Sequence, residues 1–289
     1  MKLSPATLAL VRAALREDLG TRGDVTTEFF VPKGARLSGR IVAKQAGVVC
    51  GVDIARRVFT LVDRGARVKL LKKDGARVRP GDGVLAVSGG PGLLTAERTA
   101  LNFLQRMSGV ATLTSSYAAK LKGTRTKVLD TRKTVPGWRE LDKYAVRCGG
   151  GFNYRLGLYD AVLTKDNHWA SGIEMEAAVR AARRKYPGIA VELEAADMEQ
   201  VERALAAKAD VILLDNMTPS QLRRAIARVR RAAKRTEIEI SGGVTLENIG
   251  RLGRLGADWI SVGRLTHSAP ALDLSLEITA ASRRRAAGR

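Results

Sequence analysis

The stretch IAVELEAADMEQVERALAAKADVILLDN, residues 189–216, decides the fold class. It opens on the apolar run Ile189-Ala190-Val191, passes through Met198–Lys208, where apolar residues return at helical spacing, and closes on Val211-Ile212-Leu213-Leu214. Two short continuous apolar runs joined by one amphipathic helix describe a strand–helix–strand unit with parallel strands covered on both faces. The same alternation extends outward in both directions. Further runs lie at Val128-Leu129, Ala161-Val162-Leu163, Ile238-Glu239-Ile240 and Trp259-Ile260-Ser261-Val262, with helical stretches at Glu174–Tyr186 and Ser220–Lys234. This repetition suits an α/β fold of the (β/α) barrel type. A doubly wound open sheet is the alternative, and the lack of a GxGxxG opening a helix counts against a dinucleotide fold.

The first 109 residues follow another pattern. Residues 36–43 and 47–51 read as strands, and residues 76–87 as a hairpin like that of lipoyl and biotinyl domains, without a lysine at its tip. Ser4 and Pro5 open a first helix. Thr95 is expected to cap a helix Ala96–Met107, which puts Arg98 in the first turn, where the helix dipole disfavours a cation. Such a placement points to a task for Arg98.

Net charge is +21, from 50 basic and 29 acidic residues. Pairs such as Arg223-Arg224 and Arg230-Arg231 fall in helical segments and read as a solvated face. Aromatics are only 4%, too few for the stacking platforms of single-strand binders, so no specific nucleic-acid partner is expected. No apolar run reaches the ~18 residues of a membrane span, and no membrane partner is expected. The start, MKLSPATLALVRAALRED, is broken by Arg12 and Arg16 and reads as a helix rather than a leader, so a cytoplasmic location is expected. Cys50 and Cys148 are the two cysteines; they form no disulfide framework and no metal-ligand spacing, and no chemistry is expected of them.

In α/β folds ligands bind beyond the C-terminal strand ends, so the residues there form a chemical inventory. The first run delivers Asp130, Arg132 and Lys133; the second Lys165 with Asp166, Asn167 and His168 behind it. Glu192 and Glu194 alternate about Leu193 and share a face. Asp215-Asn216 ends the fourth run, Ser241-Gly242-Gly243 the fifth, and Gly263, followed by Thr266 and His267, the sixth. Arg132, Lys133 and Lys165 would repel one another unless an anion held them together, which implies a ligand with several negative charges. Small residues after the last two strands let backbone amides approach a phosphate, and a following helix N-terminus adds donors. Glu194 and Asp215 suit Mg²⁺ held partly through water, ribose hydroxyls, or both. His168 serves as a proton shuttle, a ligand or a structural hydrogen-bond partner.

Arranged in order, these motifs resemble the quinolinate phosphoribosyltransferase family. The likeness runs through Glu17-Asp18-Leu19-Gly20, Leu94–Asn102, Asp130-Thr131-Arg132-Lys133-Thr134, Arg155-Leu156-Gly157-Leu158, Lys165-Asp166-Asn167-His168, Leu214–Met217, Ser241–Thr245 and Leu265–Pro270. The resemblance implies an N-terminal open sandwich domain (1–109) of α+β type that covers the partner's active site in a homodimer. It implies an irregular, incomplete (β/α) barrel over 110–270 as catalytic domain. Residues 271–289 are expected to form a C-terminal helix and basic tail packing back on the N-terminal domain. The implied reaction joins quinolinate to phosphoribosyl pyrophosphate with Mg²⁺ and loss of CO₂, as a step of NAD biosynthesis. Lys133, Lys165, Glu194 and Asp215 would be catalytic. Arg98 (across the dimer interface), Arg132, Tyr154 and Arg155 would join them in binding substrate. Ser241, Gly242, Gly243, Gly263 and His267 would hold phosphate. Tyr154 stands where the family usually has histidine; it keeps a hydrogen-bond donor but adds no positive charge. The alternatives are a different ring acid on the same fold, or a Schiff-base barrel lyase using Lys165.

Overall fold

The computed structural model describes residues 2–169, 172 and 174–283. Two compact units emerge: residues 1–113, 135–150 and 269–289 form one, and residues 114–134 and 151–268 the other.

In the first unit the strands are β1 (Ala35–Ala43), β2 (Gly47–Val48), β3 (Arg67–Leu70), β4 (Arg77–Val78) and β5 (Gly83–Gly89). The opening helix is Pro5–Leu19, with Ser4 accepting from the Thr7 amide as expected. The hairpin expected over 76–87 does not form. β4 pairs with β2, while β5 joins β1 and β3 in a second, antiparallel sheet. The apolar alternation identified the strands but carried no information on which partner each would take.

The helix expected at Ala96–Met107 begins earlier, at Gly92, and runs to Lys120. Thr95 therefore lies inside it, and its hydroxyl donates to Asp24 Oδ2 at 2.8 Å instead of capping. Arg98 consequently sits beyond the first turn, where the helix dipole no longer disfavours a cation. Buried residues Leu93, Ala96, Ala100, Leu104, Met107 and Ala111 mark the inward face of the helix.

The second unit carries β6 (Lys127–Leu129), β7 (Val162–Thr164), β8 (Val191–Ala195), β9 (Val211–Asp215), β10 (Glu237–Ser241) and β11 (Trp259–Ser261). They make one parallel sheet in the order β6-β11-β10-β9-β8-β7. The first strand pairs with the last, as in a barrel, but β6 and β7 do not pair, so the sheet is open there. Phe152 makes a single parallel bridge to Leu129 on that side. This is the expected irregular, incomplete barrel. The third strand lies further along than the apolar run Ile189–Val191, because it continues through Glu192 and Glu194. All five residues of β8 are buried; Leu193 alternates with the two carboxylates, and helix Met198–Ala206 packs on this strand. Each fully buried aliphatic side chain of this kind contributes ~1.5–3 kcal/mol.

The expected C-terminal helix is instead a strand, β12 (Leu274–Arg283), paired antiparallel with β1. Leu274, Leu276 and Ile278 alternate with Ser275 and Glu277, a period-2 signal that outweighs the helix-forming alanines that follow. The tail beyond residue 283 lies outside the described residues.

Candidate active site

Strand register places the site. In a parallel ladder directly paired residues share a face, and so does every second residue along a strand. Leu163 pairs with Glu192, Glu194 with Leu213, and Asp215 with Ser241. Lys165, Glu192, Glu194, Asp215, Glu239 and Ser241 therefore belong to one face. Lys165, Glu194, Asp215 and Ser241 gather at its C-terminal edge.

Two layers follow. At the edge, Lys165 Nζ pairs with Glu194 Oε2 at 2.6 Å. Lys165 is more than half exposed while Glu194 is buried, so the pair presents its cation outward. This differs from the desolvated setting of Schiff-base lysines. His168 Nδ1 accepts from the Lys165 amide at 3.0 Å, which is the structural role. Trp169 Nε1 donates to the Glu194 carbonyl at 2.7 Å and fixes the loop to β8.

Below lies a buried acidic layer. Glu192 and Glu239 are 1% and 3% exposed, with the Tyr154 hydroxyl against Glu192. Burial first, and the Glu192 charge second, raise Glu239 well above the usual carboxylate range. Burial also raises Glu192, opposed by the nearby polar groups of Tyr154 and Glu239 and by the charges of Arg155 and Lys165. Burial, then Glu192, raises the Tyr154 phenol. Burial and the neighbouring Glu192 charge both favour the protonated form of Glu239. Arg155 is nine-tenths buried and donates to the Ala161 carbonyl at 3.0 Å, so it anchors this layer rather than the rim.

On the other side, Asp130 is almost fully buried and accepts from Asn153 Nδ2 at 2.6 Å and the Tyr154 amide at 2.9 Å. That leaves half-buried Arg132 and exposed Lys133 on the loop that follows. The Thr266 hydroxyl donates to the Lys133 carbonyl at 2.7 Å. A Cβ on Gly263 would lie 2.9 Å from Lys133 Cδ and 3.3 Å from His267 Nε2, so both side chains pass close to this glycine. Exposed His267 meets the Ser268 hydroxyl through Nδ1 at 2.6 Å.

The Ser241-Gly242-Gly243 turn abuts Asp215-Asn216. Gly242 has φ +87°, and a Cβ would lie 2.5 Å from Asn216 Cγ, nearer still to Oδ1, and 2.8 Å from its amide nitrogen. Asn216 itself has φ +53° and donates to Asp215 Oδ2 at 2.6 Å. Among the described residues, no carbonyl accepts from the Gly242 or Gly243 amides.

The second unit thus carries Arg132, Lys133, Tyr154, Arg155, Lys165, Glu194, Asp215, Ser241, Gly242, Gly243, Gly263 and His267. Arg98 belongs to the first unit and is exposed. Sequence reasoning had missed a role for Glu239. Its signal was a carboxylate flanked by isoleucines inside a strand otherwise read as a plain apolar run.

Residues 110–277 match the family described as quinolinate phosphoribosyl transferase, C-terminal domain, and residues 24–108 match its N-terminal domain. A nicotinate-nucleotide pyrophosphorylase [carboxylating] of Mycobacterium leprae is 44% identical, the alignment covering 93% of this chain and 95% of that protein. A probable enzyme of the same name from Bacillus subtilis is 42% identical over 91% of this chain and 90% of its own length. The solved nicotinate-nucleotide pyrophosphorylase of Francisella tularensis superposes with a TM-score of 0.89 at 36% identity, covering 96% of this chain and 98% of that one. The chain belongs to the quinolinate phosphoribosyltransferase family.

Proposed function

We propose that the protein transfers phosphoribosyl from phosphoribosyl pyrophosphate to the ring nitrogen of quinolinate and removes the carboxyl group beside that nitrogen. The products are nicotinate mononucleotide, pyrophosphate and CO₂, a step of NAD biosynthesis. The observation that carries this reading is the register setting Lys165, Glu194, Asp215 and Ser241 on one face at one sheet edge.

Lys133, Arg132 and Lys165 are the cations for the two ring carboxylates, and charge-assisted bonds to them orient the ring. The ion pair to Glu194 holds the Lys165 ammonium in place before substrate arrives. Glu194 and Asp215 face the ribose and stabilise positive charge growing on its anomeric carbon. The amides of Gly242 and Gly243, with Lys133 and His267 across from Gly263, receive the phosphate. Tyr154 acts from below through Glu192, and Arg155 holds that layer in register. After the ring nitrogen is alkylated, it becomes an electron sink for loss of the neighbouring carboxylate. Catalysis then rests on positioning and preorganised charge.

Glu194 and Asp215 are hard oxygen donors sharing a face, a donor set that fits Mg²⁺ bound partly through water. When bound, the ion neutralises charge on the departing pyrophosphate. We further infer a homodimer in which exposed Arg98 of one chain serves the site of the other. Phe29 and Phe30, 78% and 84% exposed, and Leu158 and Tyr159, 74% and 80%, are apolar surface that such an assembly would cover. No helix of the described residues is long and apolar enough to cross a membrane. Free thiols at Cys50 and Cys148 suit the reducing cytoplasm, where we place the enzyme.

The test is direct. Purified protein with quinolinate, phosphoribosyl pyrophosphate and Mg²⁺ should release CO₂ and pyrophosphate together. Turnover no greater than that of a Lys133→Ala variant would reject the proposal.

A further inference from the structure

Cys50, Asp74 and Cys148 are far apart in the chain but converge within the first unit. Cys50 is fully buried just before helix Val52–Val62. Its amide donates to Ser108 Oγ at 2.9 Å, and its carbonyl accepts from the same hydroxyl at 3.2 Å. Cys148, partly exposed, is the last residue of helix Arg139–Cys148. Asp74 lies between β3 and β4. Its Oδ1 accepts from the amides of Gly51 and Val52 at 2.8 and 3.1 Å, and its Oδ2 from the Tyr144 hydroxyl at 2.8 Å.

The two sulfur atoms and a carboxylate oxygen of Asp74 all lie within 4.8 Å of one another. A tetrahedral ion bonded at ~2.3 Å to sulfur and ~2.1 Å to oxygen needs donors roughly 3.6–3.8 Å apart. Closing the cluster onto such an ion takes shifts of about 1 Å or less on this geometry.

We propose that Cys50, Cys148 and Asp74 form a three-ligand site for a thiophilic divalent cation of the zinc class, with water completing the shell. Two sulfur donors select such an ion over Mg²⁺. The carboxylate is already oriented by three donors, which amounts to a ready-made outer shell. Both thiols bind as thiolates and release their protons to solvent, so no oxidant is needed. Binding ties together the start of helix Val52–Val62, the β3–β4 loop and the end of helix Arg139–Cys148. It thereby stabilises the folded first unit by mass action. None of these residues takes part in the proposed transfer reaction.

The experiment uses full-length protein stripped by chelator under reductant, then titrated with Zn²⁺ against a chromophoric competitor and separately with Co²⁺. The expected result is about one tight zinc ion per chain, and cobalt absorption with a thiolate charge-transfer band. Cys148→Ser should weaken zinc binding by about 100-fold or more, and Tyr144→Phe, which keeps every ligand, by about tenfold. Zinc should raise the Tm of the wild type and leave that of Cys148→Ser unchanged. Circular dichroism of both variants checks that they fold, and Cys148→Ala serves as a second thiol deletion. Equal zinc affinity in wild type and both Cys148 variants would overturn the proposal. So would cobalt spectra without the charge-transfer band, or a Cys50–Cys148 disulfide forming in air while the reduced protein takes up no zinc.

Discussion

Replacing Gly242 with alanine isolates the phosphate turn from the rest of the site. Two costs are readable from the structure. The backbone at φ +87° is a conformation that disfavours a side chain by about 1–2 kcal/mol. The new Cβ would also lie 2.5 Å from Asn216 Cγ, whereas carbon atoms sit comfortably at ~3.5–4.0 Å, so Asn216 must retreat by about 1 Å. Asn216 donates to Asp215 Oδ2 at 2.6 Å, and its displacement drags that carboxylate. Misplacement of a reacting group by about 1 Å can cost about 100-fold in rate. Gly243→Ala is the control, because its φ is +57° and no atom lies within 4 Å of its Cβ. Gly243→Ala should therefore lose about 1 kcal/mol of stability and only a few-fold in kcat/KM for phosphoribosyl pyrophosphate. Gly242→Ala should lose about 2–3 kcal/mol and about 100-fold in kcat/KM. Urea unfolding and initial-rate release of pyrophosphate measure the two quantities. Equal kcat/KM for the two variants would refute the link from Asn216 to Asp215.

Three other outcomes follow from the same geometry. Glu194→Gln removes the charge that holds Lys165 and faces the ribose, and kcat should fall by about 100-fold or more, the scale of one lost preorganised group; a change confined to KM would argue for a binding role alone. Arg98→Ala and Lys133→Ala, each inactive alone, should recover about a quarter of wild-type activity when refolded together at equal amounts, because random pairing of C2 dimers leaves half of them hybrids with one intact site; no recovery would place both residues in the same chain's site. Glu239 has a folded-state pKa above its unfolded value, so the unfolded chain binds fewer protons and stability falls as pH rises above the ordinary carboxylate range. Glu239→Gln, which mimics the protonated form, should flatten that fall above the ordinary carboxylate range in chemical denaturation; an unchanged slope would mean that Glu239 is ionised in the fold.

Much of the fold was legible because short apolar runs alternating with amphipathic helices have few packings other than a parallel sheet. Five of the six runs of the second unit coincide closely with strands, and the third meets its strand only at Val191. The edge chemistry was legible for the same reason, since a strand's last residues point to a known side of such a sheet. What failed were assignments that depend on partners. Thr95 resembled a cap but lies within a longer helix, and residues 76–87 resembled a hairpin but divide between two sheets. The alanines of the C-terminal segment masked a strand completed by β1.

Residue order by itself determined a parallel α/β unit, a cation-rich strand edge, the two glycine-bearing turns after the last strands and the family. These depend on local periodicity and on motifs in series, both written along one dimension. Only tertiary structure decided that Glu192 and Glu239 lie buried near Tyr154 with their carboxyls pushed toward protonation, that Arg155 anchors rather than lines the rim, and that Cys50, Asp74 and Cys148 meet. Burial and through-space proximity set those properties, and both arise only when segments distant in the chain pack side by side.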